Sequence, residues 1–411
     1  LIDTGRIHAR VLYPEVTLMN ALASIDSKKS LAALCLMVVV SLGTLQVQPI
    51  LGGAFIDQLG LPLSAIGGIF AAELIAMAVA CAFSAMLMTR VDRRRFALIA
   101  LFGLTLGNLA STQLYAQLPL LICRALCGAS GGALMAVVYA TAALRTAKDS
   151  TFAVINIGNL FWGMLLVTSM PAVLKWHGVN GAFLLLAGAS ALAIWGCWKV
   201  PRGYPGGERA AALQAQPFGL TSALLFILFA LLFFGHSALW VYQERIGKSI
   251  GLAPQQVGAI LGGSILAGAL GAGLAGVIGR RLGLLLPQLL SFGTALIATV
   301  VMVYGSSPIA FTVTACLIHM VWFFSLPYLL SMAAELDPSG RLAGLGNAAI
   351  FIGQGLGPFG AALAVGGGQL RAVGWLAAAA YLLGLVLCTV VVMRFRRIAQ
   401  PVRARLAPQP G

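Results

Sequence analysis

The sequence predicts an all-α polytopic membrane protein with twelve transmembrane helices, built as two six-helix parallel repeats. Three observations predict it. Of 411 residues, 60% are hydrophobic and 9% charged, and a mean hydropathy of +0.96 does not fit a soluble core with a solvated surface. From Leu31 onward the chain runs in apolar blocks of about 20 to 25 residues, each long enough to cross ~30 Å of hydrocarbon at ~1.5 Å per residue. Finally, a shift of 191 positions lays Leu59 to Gly67 on Ile250 to Gly258, Ala85 on Gly276, Arg90 on Arg281 and Asn156 on Asn347, without a gap. Six blocks per copy and one direction of insertion imply repeats related by an axis along the membrane normal.

In chain order, residues 1–30 form a polar cytoplasmic segment without the apolar run of a signal peptide, and Met19 is a candidate start. The first bundle, 31–199, holds blocks near 31–54, 64–88, 95–115, 118–143, 151–174 and 180–199. Residues 200–217, rich in Gly and Pro, read as a cytoplasmic linker. The second bundle, 218–393, holds blocks near 218–242, 254–278, 283–304, 308–333, 342–366 and 372–393, and 394–411 is a basic cytoplasmic tail. In the loop from Glu335 to Arg341, Asp-Pro-Ser-Gly is turn chemistry.

The net charge of +15 is an orientation signal rather than a nucleic-acid site, because the basic residues sit in short loops. The segments on the side of the termini carry 21 Lys and Arg, against Lys175, Arg245, Lys248 and Arg371 on the other side. Both termini are therefore expected in the cytoplasm, with the chain in a bacterial-type inner membrane. The seven cysteines all lie in apolar blocks without metal-ligand spacing and read as packing residues.

Chemistry concentrates where charge interrupts hydrocarbon. Arg124 is the single charge between Leu118 and Ala142, and an intramembrane guanidinium costs from ~3 to more than ~10 kcal/mol unless paired or hydrated. Glu73 is the one acid well inside a block. Helical rise places Glu73 ~13 Å and Arg124 about 8 to 10 Å from the outer side, so the two are expected to meet. Such a pair is either a proton-coupling switch or a permanent pin between two helices. His319, near mid-membrane, is a third proton-coupling candidate. Polar residues suited to a central solute cavity are Gln46, Gln48, Asn156, Asn159, His236, Trp240, Trp322, Asn347 and Gln354. Trp240 and Tyr242 equally suit an aromatic belt at the membrane interface.

Two stretches carry a family resemblance. Ala85 to Arg94, AMLMTRVDRR, resembles the cytoplasmic loop motif G-x-x-x-D-R-x-G-R-R of the major facilitator superfamily (MFS), with Arg90, Arg93 and Arg94 in place. Ala85, Thr89 and Asp92 stand where the motif has Gly, Asp and Gly. The repeat copy GVIGRRLG contains Gly276, Arg280, Arg281 and Gly283. Leu120 to Gly132 is similar to the superfamily's fourth-span motif, with Arg124 and Gly128 matching. Gly353 to Gly360 resembles the antiporter motif G-x-x-x-G-P, displaced here from the fifth span to the eleventh.

The resemblance implies the superfamily fold and alternating access. It also implies a state-holding charge contact at the loop, and for Arg124 a role in proton coupling or in holding an anion. There is no nucleotide-binding loop and no metal-binding motif, so neither enzyme activity nor cofactor is expected. The expected protein is a monomeric secondary active transporter in the lipid bilayer that moves a small organic solute, coupled to protons. The alternatives are a non-transporting receptor of this fold, or a uniporter without proton coupling.

Overall fold

The computed structural model describes residues 25–88, 90–200, 219–337 and 341–406. Most of the N-terminal segment, Thr89, the linker residues 201–218, the loop residues 338–340 and the end of the tail lie outside them. The described regular structure is helical apart from one short 3₁₀ turn: α1 (Lys28–Ser41), α2 (Gly43–Leu59), α3 (Leu63–Leu87), α4 (Arg93–Ser111), α5 (Gln117–Ala142), α6 (Lys148–Cys197), α7 (Leu220–Trp240), α8 (Gln243–Ser249), α9 (Pro254–Ile278), α10 (Leu285–Tyr304), α11 (Pro308–Leu336), α12 (Arg341–Ala364) and α13 (Arg371–Leu406).

Among the described residues, nine helical segments are long and apolar enough to cross a membrane, α1 and α2 together making one of them. The long helix α6 is bent at Gly178 and supplies two spans, and α4 and α12 complete the twelve. Backbone chemistry explains the departures from a straight rod. At Gly178 φ is +61° and ψ −166°, a conformation that only glycine adopts freely. The bend breaks the helical ladder, and the Gln58 side chain fills the gap: its Oε1 accepts from the Val179 N–H at 2.8 Å, and its Nε2 donates to the Leu174 carbonyl at 3.4 Å. Two features depart from the expected outline. The short helix α8 occupies what read as a loop, and α13 continues to Leu406 through most of the expected basic tail.

Within the first half, α3 packs on α5, α5 on α4, and α6 on α1, α2 and α4; in the second, α7 packs on α12 and α13, and α11 on α9 and α10. The halves meet through α3 against α12 and α6 against α9. These two seams obey the internal repeat. A Cβ on Gly67 would run into the Pro358 carbonyl and come within 2.9 Å of Ala362 Cβ; a Cβ on Gly258 would lie 3.1 Å from the Val167 carbonyl and 2.6 Å from Pro171 Cγ. Each residue of one seam is related to its counterpart in the other by the same 191-position shift.

The apolar core shows where the halves are joined. One cluster runs without interruption from Val47–Phe70 and Leu166–Leu186 of the first half into the second half. A separate cluster, built from Ala33–Val40, Leu101, Leu134–Val138 and Ala193–Val200, belongs to the first half alone. In the first half the residues of the shared core lie towards the far face, opposite the termini, and those of the separate cluster towards the termini, while in the second half the shared core runs through the bundle. The halves are joined at the far face, and the termini side of the first half packs in a core of its own.

Gly67→Ala should therefore destabilise the fold by about 1–3 kcal/mol through overpacking of the seam, while Gly68→Ala, whose Cβ meets open space, should stay within about 0.5 kcal/mol. Thermal unfolding of the detergent-solubilised variants separates the two; equal melting temperatures would show that the seam tolerates a methyl group.

Candidate functional site

Three constellations lie on or beside the join between the halves. The first is the intramembrane charge pair. Arg124, Gly128 and Gly132 recur every four residues on α5 and share one face. A Cβ at Gly128 would collide with the Glu73 carbonyl, and one at Gly132 with the Met77 carbonyl, so the glycines let α3 and α5 approach backbone to backbone. That approach brings Arg124 onto Glu73, with Nη2 2.5 Å from Oε1 and Nε 3.2 Å from Oε2. Nη1 also donates to Asn108 Oδ1 at 2.8 Å and towards Ser111 Oγ at 3.5 Å, and Nη2 donates to Thr44 Oγ1 at 2.7 Å. All five guanidinium N–H groups thus have acceptors. The Arg124 side chain is fully buried, lies 5.6 Å from the centre of the Phe183 ring, and finds every one of these partners inside the first half.

The second constellation is an aromatic box on α7 and α11. His236 lies flat on Trp322, ring centres 4.0 Å apart at 13°. His319 meets His236 edge-on at 4.7 Å and Trp240 at 4.9 Å. His319 Nδ1 is 3.4 Å from the Ala315 carbonyl. Two polar atoms of the box, His236 Nε2 and Trp322 Nε1, are buried without a hydrogen-bond partner, as are both amide atoms of Gln48 on α2, less than one turn from the Leu45 carbonyl to which Trp240 donates.

The third is the segment Trp240–Lys248, which ties the second half to the first at the far face. Pro49 has no N–H, so the Leu45 carbonyl lacks its helical partner, and Trp240 Nε1 donates to it across the join at 3.0 Å. The Tyr242 hydroxyl donates to the Leu63 carbonyl at 3.2 Å. Arg245 grips Asp57 with two hydrogen bonds of 2.9 Å and also pairs with Glu244, while Lys248 reaches Asp57 at 2.6 Å. Glu244 packs on Gly53, where a Cβ would strike its carboxylate. Burial pushes the Glu244 carboxyl above the ordinary carboxylate range, and Arg245 offsets part of that.

A sequence profile described as the Major Facilitator Superfamily matches residues 31–358. The chain belongs to the Major Facilitator Superfamily. Among solved structures it is similar to a mutant of the nucleoside transporter NupG, with a TM-score of 0.68, 11% identity, and coverage of 92% of this chain and 99% of that one. It is also similar to a bacterial homologue of the human lysosomal transporter Spinster in an inward-facing, unoccupied conformation, with a TM-score of 0.66, 16% identity, and coverage of 93% and 95%. A search of curated proteins gave no match. At these identities the likeness is one of fold.

In this superfamily member the expected site residues fall in several places. Glu73 and Arg124 meet, and His236, Trp240, His319 and Trp322 form one cluster. His236, placed nearer the outer end by counting residues, meets the His319 ring edge-on. Trp240 and Tyr242 are buried and bridge the halves instead of forming an interfacial belt. Gln46 lies against Gly163 of α6. Asn159 has a buried, unpartnered Oδ1, Gln354 is buried, and Asn156 is exposed. The side chain of Asn347 lies outside the described residues.

At the loop motif, Arg90 is exposed, Arg93 donates to the Ala140 carbonyl at 3.4 Å, and Arg94 to the Val200 carbonyl at 2.7 Å. Asp92, standing at a motif glycine, caps α4 by accepting from the Arg94 and Arg95 N–H groups. In the repeat copy, Arg280 pairs with Glu335 and donates to Ser331 Oγ at 2.5 Å. Arg281 is exposed, Gly276 faces open space, and Gly283 takes a positive φ of +70°.

Sequence reading missed Thr44, Asn108 and Ser111 around Arg124, and Asp57 and Glu244 at the far face. Asn108 and Ser111, three residues apart in the apolar α4, were the available signal for the first group.

Arg124→Ala should destabilise the protein by about 3–5 kcal/mol, since it strands the Glu73 carboxylate in a dry site. The double variant with Glu73→Gln should recover part of that loss. Melting temperatures of the two single variants and the double in one detergent give the coupling; strictly additive losses would show that the residues do not act as a pair.

Proposed function

We infer that this chain is a secondary active transporter that carries a small organic solute across a bacterial-type cytoplasmic membrane by alternating access between bundles 31–199 and 218–393. One observation supports the reading: the core that joins the halves draws its first-half residues from the far face, while the termini side of the first half keeps a core of its own, as expected of a rocking pair closed at one face. The excess of Lys and Arg on the termini side supports a cytoplasmic location for that side, so the conformation reads as inward-facing. Residues 200–217 then serve as the tether between bundles, and one chain suffices as the transport unit.

The solute site lies at the box of His236, Trp240, His319 and Trp322. A solute held there touches the residue whose indole clasps the opposite half. The charge pair fits the role of a fixed pin rather than a switch, because protonating Glu73 would leave a fully buried guanidinium without its counter-charge. Proton exchange falls to His319. Its imidazole can take up and release a proton, and a charge on His319 would act directly on His236 and Trp240. The arginines of the two cytoplasmic loops, Arg93, Arg94 and Arg280, hold carbonyl, hydroxyl and carboxylate groups within their own halves and would steady each bundle as it rotates.

The test is proton movement in everted membrane vesicles, read by a pH-sensitive dye as organic acids, sugars, amino acids, nucleobases and lipophilic cations are added singly. Wild type should give a proton flux with one class. His319→Gln should keep solute flux and lose proton flux, and Glu73→Gln should lower the amount of folded protein without selectively uncoupling the remainder. Solute flux in wild type without proton flux would make the chain a uniporter, and binding without flux would make it a receptor. A stable Glu73→Gln protein lacking only proton flux would return the coupling role to Glu73.

A further inference from the structure

We propose that the solute is a flat, uncharged nitrogen heteroaromatic, of nucleobase-like chemistry, held by stacking and edge hydrogen bonds in the box of α7 and α11; this rests on the transporter reading. Charge is the first discriminator. Arg124, the cation deepest in the bundle, is closed to an anionic solute, since its five N–H groups are satisfied and its side chain has no exposed surface. The far-face cations Arg245 and Lys248 are held on Asp57 and Glu244. The rings of the box lie against one another and against Phe233 and Phe323, with no carboxylate in these ring contacts to hold an organic cation.

Hydrogen-bond chemistry is the second discriminator. An indole N–H is a donor only, so the buried, unpartnered Trp322 Nε1 calls for an acceptor. A lipophilic cation brings none, which excludes a simple cation-π cage. The Gln48 amide is completely buried with both oxygen and nitrogen unpartnered, so it asks for a donor and an acceptor side by side. Gln48 follows Leu45, the residue Trp240 bonds, by less than one turn of α2. Adjacent N–H and C=O groups along one edge of a planar ring meet these demands.

Shape is the third. The Trp322 face is one on which a planar nitrogen ring packs, since the box's own His236 imidazole lies on it at van der Waals stacking distance, with its Nε2 unpartnered. Stacking on an aromatic face is available to any flat base, whereas the polar edge sets the selection. A sugar offers hydroxyls of the right polarity but a puckered ring, which loses the stacking contact.

The experiment is direct binding to the purified full-length chain in nanodiscs, with tritiated uracil and adenine as probes and glucose, benzoate and tetraphenylphosphonium as competitors, followed by uptake of the same probes into proteoliposomes. At least one heteroaromatic should bind saturably and be displaced by neither glucose, benzoate nor the cation. Trp322→Phe keeps a ring and removes the N–H, and should weaken binding by roughly tenfold, the effect of losing one buried hydrogen bond to a ligand. Gln48→Leu, at a different point of the site, should do the same. Melting temperatures close to wild type show that each variant is folded.

No saturable heteroaromatic binding, displacement by benzoate or glucose, or unchanged affinity in both variants would overturn the proposal. Binding without uptake would uphold this ligand class while removing the transporter reading. Uptake of only another solute would leave the transporter standing without this class.

Discussion

A guanidinium inside hydrocarbon imposes more on this chain than any other single group. Arg124 cannot be left unpartnered at that depth, and the first half is arranged to satisfy it. Thr44 comes from α2, Glu73 from α3, Asn108 and Ser111 from α4, and Phe183 closes over it from α6. Its own helix contributes the glycines that let α3 come close enough for a carboxylate to reach it. Five of the six spans of this half are thereby fixed to one side chain. A hydrophobic pair at the same place would pack but would specify neither the register of α3 on α5 nor the facing of α4.

The second half has no such centre. Under the repeat, Glu73 corresponds to Ser264 and Arg124 to Ala315, and Ser264 merely returns a hydrogen bond to its own helix at Leu261. Close packing there uses glycines, as where Gly271 meets the Met320 carbonyl and Gly268 the Phe323 ring, with neutral hydrogen bonds such as the buried Gln288–Ser325 pair between α10 and α11. Freed from a charge network, α7 and α11 carry rings instead. The copies share an architecture and have divided the work. One half is built round a charge network, and the other holds the aromatic box and the segment that ties the halves together at the far face.

The architecture was legible because membrane spans and repeats are written in composition and spacing. The 191-position shift visible in the letters reappears as matched contacts at Gly67 and Gly258. The meeting of Glu73 and Arg124 was also legible, since helical rise alone places both at similar depth. Less was readable where one residue answers a defect created by another far along the chain. Gln58 completes the broken ladder at Gly178, and Trp240 takes the carbonyl released by Pro49; neither partner can be found from local sequence. The helix α8 was hidden because QERIGKS has the polarity of a loop, and its ion pairs with Asp57 depend on the halves being closed. Asp92 looked like a defect in a glycine motif, and the structure gives it an ordinary purpose at the start of α4.

The far-face closure has a physical character that suits a reversible gate. Its hydrogen bonds are few, and most have a ready substitute once the face opens. The carboxylate of Asp57 is already 42% exposed and the ammonium of Lys248 47% exposed, so water can replace their ion pair at small cost. The Trp240 indole and the Leu45 carbonyl differ, because Trp240 is buried in the shared core, Leu45 is half-buried beside it, and neither has a helical partner to return to. Separation of the halves at this point costs less when something else accepts from that indole. Under the proposed function, a solute seated in the box, or water drawn in with it, would supply the acceptor. Occupancy of the box and release of the clasp would then be linked through one N–H group, with no need for a signal to travel through the bundle.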